Sequence, residues 1–307
     1  MRSRLARWLI RLYGYREEFL CCTNGALEGL LQWSLDDGPV DPKDLTLLGY
    51  EPFVIHLPKD RKSTMLTVHL EGSELANARL EQLPFADPKG FPGLHKGSEP
   101  HINLLPRHLH ALDRLRQRLN RRIAGNVATD LQRYDLTRLG YMQPREIHLA
   151  SVGTPDKGNV FPTDLHGPMD VDEYLISLRK DGKANAQVEA VGALTLSRMP
   201  LSACRKVYAL GGRHMAPMET ISAILPTHHL WEGYAIPAEA LSTVLLERVS
   251  SVDVGLHRIH RLAVRNSAGW KEGQALAHIH ASIAYRLRTS GRTVSVLERR
   301  ERDDLNG

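Results

Sequence analysis

The sequence predicts a mainly β protein: an antiparallel barrel over residues 141–292, preceded by an α/β extension over 1–140 and followed by a flexible tail over 293–307. Three observations predict it. After Gln143 and Pro144 the chain breaks into short alternating or apolar runs, REIHLASVG, DEYLISLR, GALTLSRMP, ALSTVLLERVSSVDVGLHRIHRLAVRNS and ALAHIHASIAYRLR, punctuated by Gly, Pro, Asn and Asp. Their number and spacing suit a small closed barrel or sandwich. The first 140 residues instead mix strand-like and helical patterns.

Taken in order, residues 2–12 place Leu5, Trp8, Leu9 and Leu12 at helical spacing between arginines, which reads as a basic amphipathic helix docked on its own protein. GPVDP at 38–42 is a turn. The runs GYEPFVIHL and STMLTVHLEG, separated by PKDRK, are expected to pair as a hairpin. Residues 84–106 hold five prolines and three glycines without a period and are expected to be irregular. From Leu105 to about Leu131, Leu109, Leu112, Leu115 and Leu119 predict an amphipathic helix with its arginines in water. A short helix is expected at 184–191, between the second and third barrel runs. No internal repeat is visible.

Composition narrows the function. With 42% hydrophobic and 24% charged residues and no apolar run near the ~18 needed for a span, integral membrane association is not expected. The opening residues lack a continuous apolar stretch and a cleavage site, so no secretory signal is read. Cys21, Cys22 and Cys204 imply no disulfide framework, and a reducing cytoplasm fits. No paired zinc ligands occur, and no metal is expected. The net charge of +5 gathers between Arg107 and Arg122, but the scattered aromatics argue against nucleic acid as a partner.

The segment from Gly153 to Pro200 carries the functional signal. A strand ends in the GTPDKG turn, and Asn159, Val160, Phe161 and Pro162 begin a second extended run leading to Thr163 and Asp164. Tyr174 to Leu178 make a third, with Ser177 and Arg179 on one face and Lys180 and Lys183 just beyond. A helix then begins near Lys183. A strand end, cations, a hydroxyl and exposed helix amides together suit an anion, and Arg179 can grip a phosphate by two parallel N–H bonds. Charges that merely cover the barrel mouth in solvent are the competing reading.

The order NVFPTD, a strand ending in SLRKDGKAN, a short helix, a strand ending in a Pro-containing loop, then a GGRHM loop resembles the flavin-reductase-like FMN-binding split barrel, a Greek-key antiparallel fold. The resemblance covers about half the chain. It implies that Asn159 to Asp164 lie along the isoalloxazine ring, that Ser177 to Lys183 hold the phosphate, and that Arg213 and His214 approach the flavin or the nicotinamide. It further implies FMN as cofactor, NAD(P)H as co-substrate, a small-molecule substrate and a homodimer. The sequence departs from the family at Asp164, where many members carry Ser or Thr; an Asp there opposes an anionic reduced ring unless it is protonated or turned away. Catalytic side chains are unknown, since the flavin itself supplies the hydride chemistry. The alternative function is a non-catalytic FMN-binding protein of the same fold.

Overall fold

The computed structural model describes residues 19–36, 38–57, 63–84, 90–120, 131–294 and 296–297. The amphipathic segment expected at 2–12, the PKDRK turn and the residues beyond 297 lie outside them. The described residues open on β1 (Phe19–Thr23) and then build a seven-stranded antiparallel sheet from β2 (Gln32–Leu35), β3 (Gly38–Val40), β4 (Thr46–Tyr50), β5 (Phe53–His56), β6 (Met65–Leu70), β7 (Ser73–Gln82) and β8 (Leu94–Ile102). Its strand order is β3-β2-β6-β7-β8-β5-β4. Helices α1 (Arg107–Asn120) and α2 (Leu131–Gly140) follow.

The second half starts with β9 (Arg145–Glu146) and lays down a second seven-stranded antiparallel sheet. Its strands are β10 (His148–Gly153), β11 (Gly158–Thr163), β12 (His166–Asp170), β13 (Glu173–Arg179), β14 (Ala193–Arg198), β17 (Ser242–Val254) and β18 (His257–Gly269). Helix α3 (Lys183–Val191) joins β13 to β14. The long β14–β17 connection holds α4 (Cys204–Ala209), α5 (Ile221–Ile224) and the hairpin of β15 (His228–Trp231) and β16 (Tyr234–Pro237). β19 (Leu276–His280), α6 (Ala281–Thr289) and β20 (Val296–Leu297) complete the described elements, and β20-β1-β19-β9 form a small sheet that brings the first and last described strands together.

The second sheet runs β11-β10-β14-β17-β18-β13-β12 and curls without pairing its end strands, an open or split barrel of mainly β structure. Phe161, Ile176, Leu178, Leu194, Leu196, Leu246 and Leu262 fill its interior, with Ala184 and Val188 of α3 packed among them. Helix α3 starts at Gly182 and stops at Gly192, whose left-handed φ of 77° lets its N–H reach Val188 O. Pro162 is accommodated because β11 is an edge strand.

Four sequence expectations are corrected. GYEPFVIHL and STMLTVHLEG lie in one sheet but do not pair, since β5 lies between β4 and β8 while β6 lies between β2 and β7. Residues 94–102 are strand, not irregular connection; Glu99 (φ 49°) falls where the register with β7 shifts, so Pro100 costs no ladder bond there. The run ALAHIHASIAYRLR is strand only to His280 and helix from Ala281, capped by the His280 ring accepting from Ser282 N–H. The structure also records a disulfide between Cys21 and Cys204, which the fold brings together from 183 residues apart. Cys22 remains a buried thiol, its pKa pushed up to about 12 by desolvation.

The leucine stripe of α1 is buried at Leu109 but leaves Leu115 45% exposed, because Asp113 takes the core-facing position after Leu112. No described helix is long and apolar enough to cross a membrane.

Candidate flavin site

Residues alternate across β13, so Ile176 and Leu178 enter the barrel while Leu175, Ser177 and Arg179 face outward. Arg179 stands opposite His257 of β18, and Leu175 joins Ile259 against Leu48 and Val54 of the first sheet. The outer face of β13 is therefore covered by β4 and β5. Tyr50, at the end of β4, sets its ring edge-on to His257 with centroids 4.8 Å apart.

This covered face carries unpaired polar atoms. Ser177 is 2% exposed and its Oγ has no hydrogen-bond partner; His257 is 2% exposed and neither ring nitrogen has one. A buried polar atom left unpaired costs about 1–3 kcal/mol, so three together mark a place built for something else. Arg179 donates through Nε and Nη2 to Asp181 at 3.2 and 3.0 Å. Lys180 lies 3.9 Å from Asp253, and Lys183 is exposed at the first position of α3, whose N-cap Gly182 offers no side-chain cap. The GGRHM segment is a 3-10 turn over Leu210–Met215, and the backbone oxygen of His214 stands 3.6 Å from where a Cβ on Gly182 would lie. Ser177, Arg179, Lys183 and His214 thus gather at one end of β13.

Further along the same face lies Asp164. Its Oδ2 accepts from Tyr141 Oη at 2.5 Å and from His278 Nε2 at 2.8 Å, while His278 Nδ1 meets Tyr208 Oη at 2.9 Å. Because the Asp164 carboxylate only accepts, His278 donates to it through Nε2, and its Nδ1 meets the Tyr208 hydroxyl. Burial raises the Asp164 pKa, but the hydrogen bond and charge of His278 and the bond from Tyr141 outweigh it and leave the carboxyl at about 2. The carboxylate stays ionised and is held by two partners.

The remaining residues singled out in the sequence are elsewhere. Asn159 and Phe161 turn into the barrel: Phe161 is core, and Asn159 Nδ2 donates to Gln187 Oε1 and Arg213 O, both at 2.9 Å. Val160 packs in the cluster beneath α4 and α5. Val160, Pro162 and Asp164 alternate to the other face of the strand, and Thr163 is buried. Arg213 donates to Asn159 Oδ1 and Glu219 Oε2, at 3.2 and 3.3 Å, which ties it to the turn rather than to the Arg179 end. His278 and His280, two apart on one strand face, turn to separate partners, His280 meeting Tyr134 and Ser282. Sequence reasoning missed Tyr50, Tyr141, Tyr208, His257 and His278 as companions of Arg179 and Asp164. Only the fold assembles them.

At the mouth of the barrel a cavity of about 390 Å³ runs between the two halves, lined by Trp33, Leu45, Gln143, Glu146, His148 and His166 together with Asp164. Glu146 accepts from Arg198 (2.9 and 3.1 Å) and pairs with His148 Nε2 (3.0 Å). Burial raises its pKa, but these partners bring it down to about 2. His148 Nδ1 and Gln143 Oε1, both buried, have no partner.

The buried histidines give the fold a pH dependence. Desolvation, joined by the charge of His148 for His166 and of Arg179 for His257, lowers their pKa values to about 3 and about 4; burial takes His260 to about 4. The unfolded chain takes up these protons below about pH 6.5, and the folded chain does not. Unfolding free energy should therefore fall as pH drops from about 6.5 toward 4, with a limiting slope of about 1.4 kcal/mol per pH unit for each histidine. Urea unfolding at pH 7, 5.5 and 4.5 measures it, and a His257→Gln variant should flatten the slope.

The site lies on the outer face of a split antiparallel barrel. No family model and no curated protein matches the chain. Among solved structures it is similar to an NADH:FAD oxidoreductase from Streptomyces globisporus, at 14% identity over 52% of this chain and 95% of that one, with a TM-score of 0.44. It is also similar to BorF, the flavin reductase component of a bacterial two-component tryptophan halogenase, at 15% identity over 54% of this chain and 99% of that one, TM-score 0.44. A third is an FMN-binding protein from Thermus thermophilus, at 16% identity over 52% and 93%, TM-score 0.41.

Proposed function

We propose that the protein binds FMN on the outer face of β13 and acts as an NAD(P)H-dependent flavin or small-molecule oxidoreductase. The observation that carries this reading is the donor set beneath Arg179. The Ser177 hydroxyl and the His257 ring are buried and unpaired, a guanidinium stands beside them, and the uncapped amides of α3 open next to them. Donors of this kind, with Asp181 on Arg179 exposed and the Asp164 carboxylate acting on His257 only through its charge, fit a phosphate. Tyr50 and His257 would flank it, and the path from there toward Asp164, Tyr141 and His278 would take the ring, with the free edge of β11 alongside.

When bound, the flavin supplies the hydride chemistry. The chain's own part is to orient and to hold charge. Arg179 would hold the phosphate end, the β4 strand covers the β13 face, and the Asp164–His278–Tyr208 chain would hold a proton on His278 Nε2 toward the ring. The cavity lined by Asp164 and His166 is the space available to a second substrate.

One observation favours the carrier reading instead. Asp164 is ionised, and a carboxylate near the ring opposes an anionic reduced flavin even when two donors share its charge. The visible spectrum of the protein, recorded before and after FMN addition and desalting, tests the cofactor: retained flavin bands are expected, and a colourless protein that retains none would overturn the assignment. Steady-state NAD(P)H oxidation by the loaded protein then separates reductase from carrier.

A further inference from the structure

The two seven-stranded sheets have the same topology. Numbering the strands of each from one to seven in chain order, both run two-one-five-six-seven-four-three. The order includes the same two out-of-sequence joins, one to five and seven to four, which a simple meander lacks. The third and fourth strands are joined in both cases by two residues, Glu51 and Pro52 in the first sheet and Val171 and Asp172 in the second.

The sheets also meet through equivalent parts. The cluster between them takes Leu48, Val54, Phe91 and Leu94 from the first sheet, and Met169, Leu175, Val254 and Ile259 from the second. Each side gives its third, fourth and seventh strands and a residue at or near the sixth-to-seventh connection. A Cβ on Gly255, in that connection of the second sheet, would lie 2.1 Å from Pro52 Cδ in the third-to-fourth turn of the first. Phe91, in the corresponding connection of the first, packs in the same cluster as Met169 on the third strand of the second. Like meeting like is the signature of a two-fold interface between identical subunits. Here it lies within one chain.

The copies differ where the anion site is. In the second, residues 180–192 join the fourth and fifth strands and include the nine residues of α3. In the first, the same strands are joined by residues 57–64, too few to hold such a helix. The fifth-to-sixth connection, which carries GGRHM in the second copy, is only the tight turn Glu71-Gly72 (φ 51° and 79°) in the first.

We propose that residues 32–102 are a degenerate second copy of the barrel sheet, occupying within the chain the place of a second subunit. The first copy gives the wall, chiefly β4 with Tyr50, and the second gives the anion end. The protein is then a monomer with one site closed in cis, in place of the homodimer that the family resemblance implied. For the nature of the ligand the inference rests on the flavin reading above.

Light scattering on the full chain tests the monomer directly: a mass near 34.4 kDa is expected, and a dimer at micromolar concentration overturns the inference whether or not flavin binds. The site is tested by complementation. Tyr50→Ala and Arg179→Ala, each expected to weaken FMN binding at least tenfold, are co-expressed with different tags. No recovery of binding is expected, since neither chain can lend its intact wall to the other; recovery in the mixture, or full affinity of Tyr50→Ala alone, overturns the cis site. Should the wild-type chain bind no FMN, the flavin reading fails, and the measured mass still decides the present one.

Discussion

An Arg179→Ala variant is expected to hold FMN more weakly by roughly 1.5–3 kcal/mol, about 10- to 150-fold, as read by quenching of flavin fluorescence. On the proposed assignment the size of the loss follows from a charge-assisted, two-point contact with the phosphate. Lys180 and Lys183 are exposed, so their charges are screened. Asp181 sharpens the test. It holds the guanidinium in the free protein, so an anion must displace a carboxylate that is itself largely in water. Asp181→Asn should then tighten FMN binding or leave it unchanged, and in the Arg179→Ala background it should have little effect. Unchanged affinity in Arg179→Ala removes the residue from the site.

The largest effect on stability is expected away from the site, at Arg138. This side chain of α2 is 1% exposed, donates to Asp113 of α1 and, at 3.1 Å, to Asp135, and lies 4.5 Å over the ring of Tyr134. Arg138→Ala takes this counter-charge away from the buried Asp113 and should cost about 3–5 kcal/mol in urea unfolding. The attraction between the two charges is largely offset by taking both out of water. An Arg138→Met, Asp113→Leu double variant should therefore recover most of the loss. A double variant no more stable than Arg138→Ala would show that the pair itself contributes net stability.

The sequence revealed the second half better than the first for a physical reason. β10, β11 and β13 pack apolar residues on the barrel side, bounded by turns, and α3 starts and stops on glycines, so local rules suffice. Alternation alone placed Ser177 and Arg179 on one face. The first sheet is obscured because β8 carries Gly97 and Pro100 and takes its place only through pairing with β5 and β7. The remainder of the site is non-local: Tyr50, Tyr141, Tyr208, His257 and His278 meet through four separate elements and the turn that follows α2, and no spacing in the chain connects them. The disulfide is hidden likewise, since only the fold sets β1 against α4.

Joining two like sheets in one polypeptide also changes what a single substitution does. In a pair of identical chains, a residue chosen for one side of the axis is imposed on the other. Here the third strand ends in Tyr50 in one sheet and Asp170 in the other, each just before a two-residue turn. One can present an aromatic wall while its counterpart stays solvated. If the sheets are copies, the halves can differ in sequence while keeping one strand order, and side-chain patterns alone do not betray that they match.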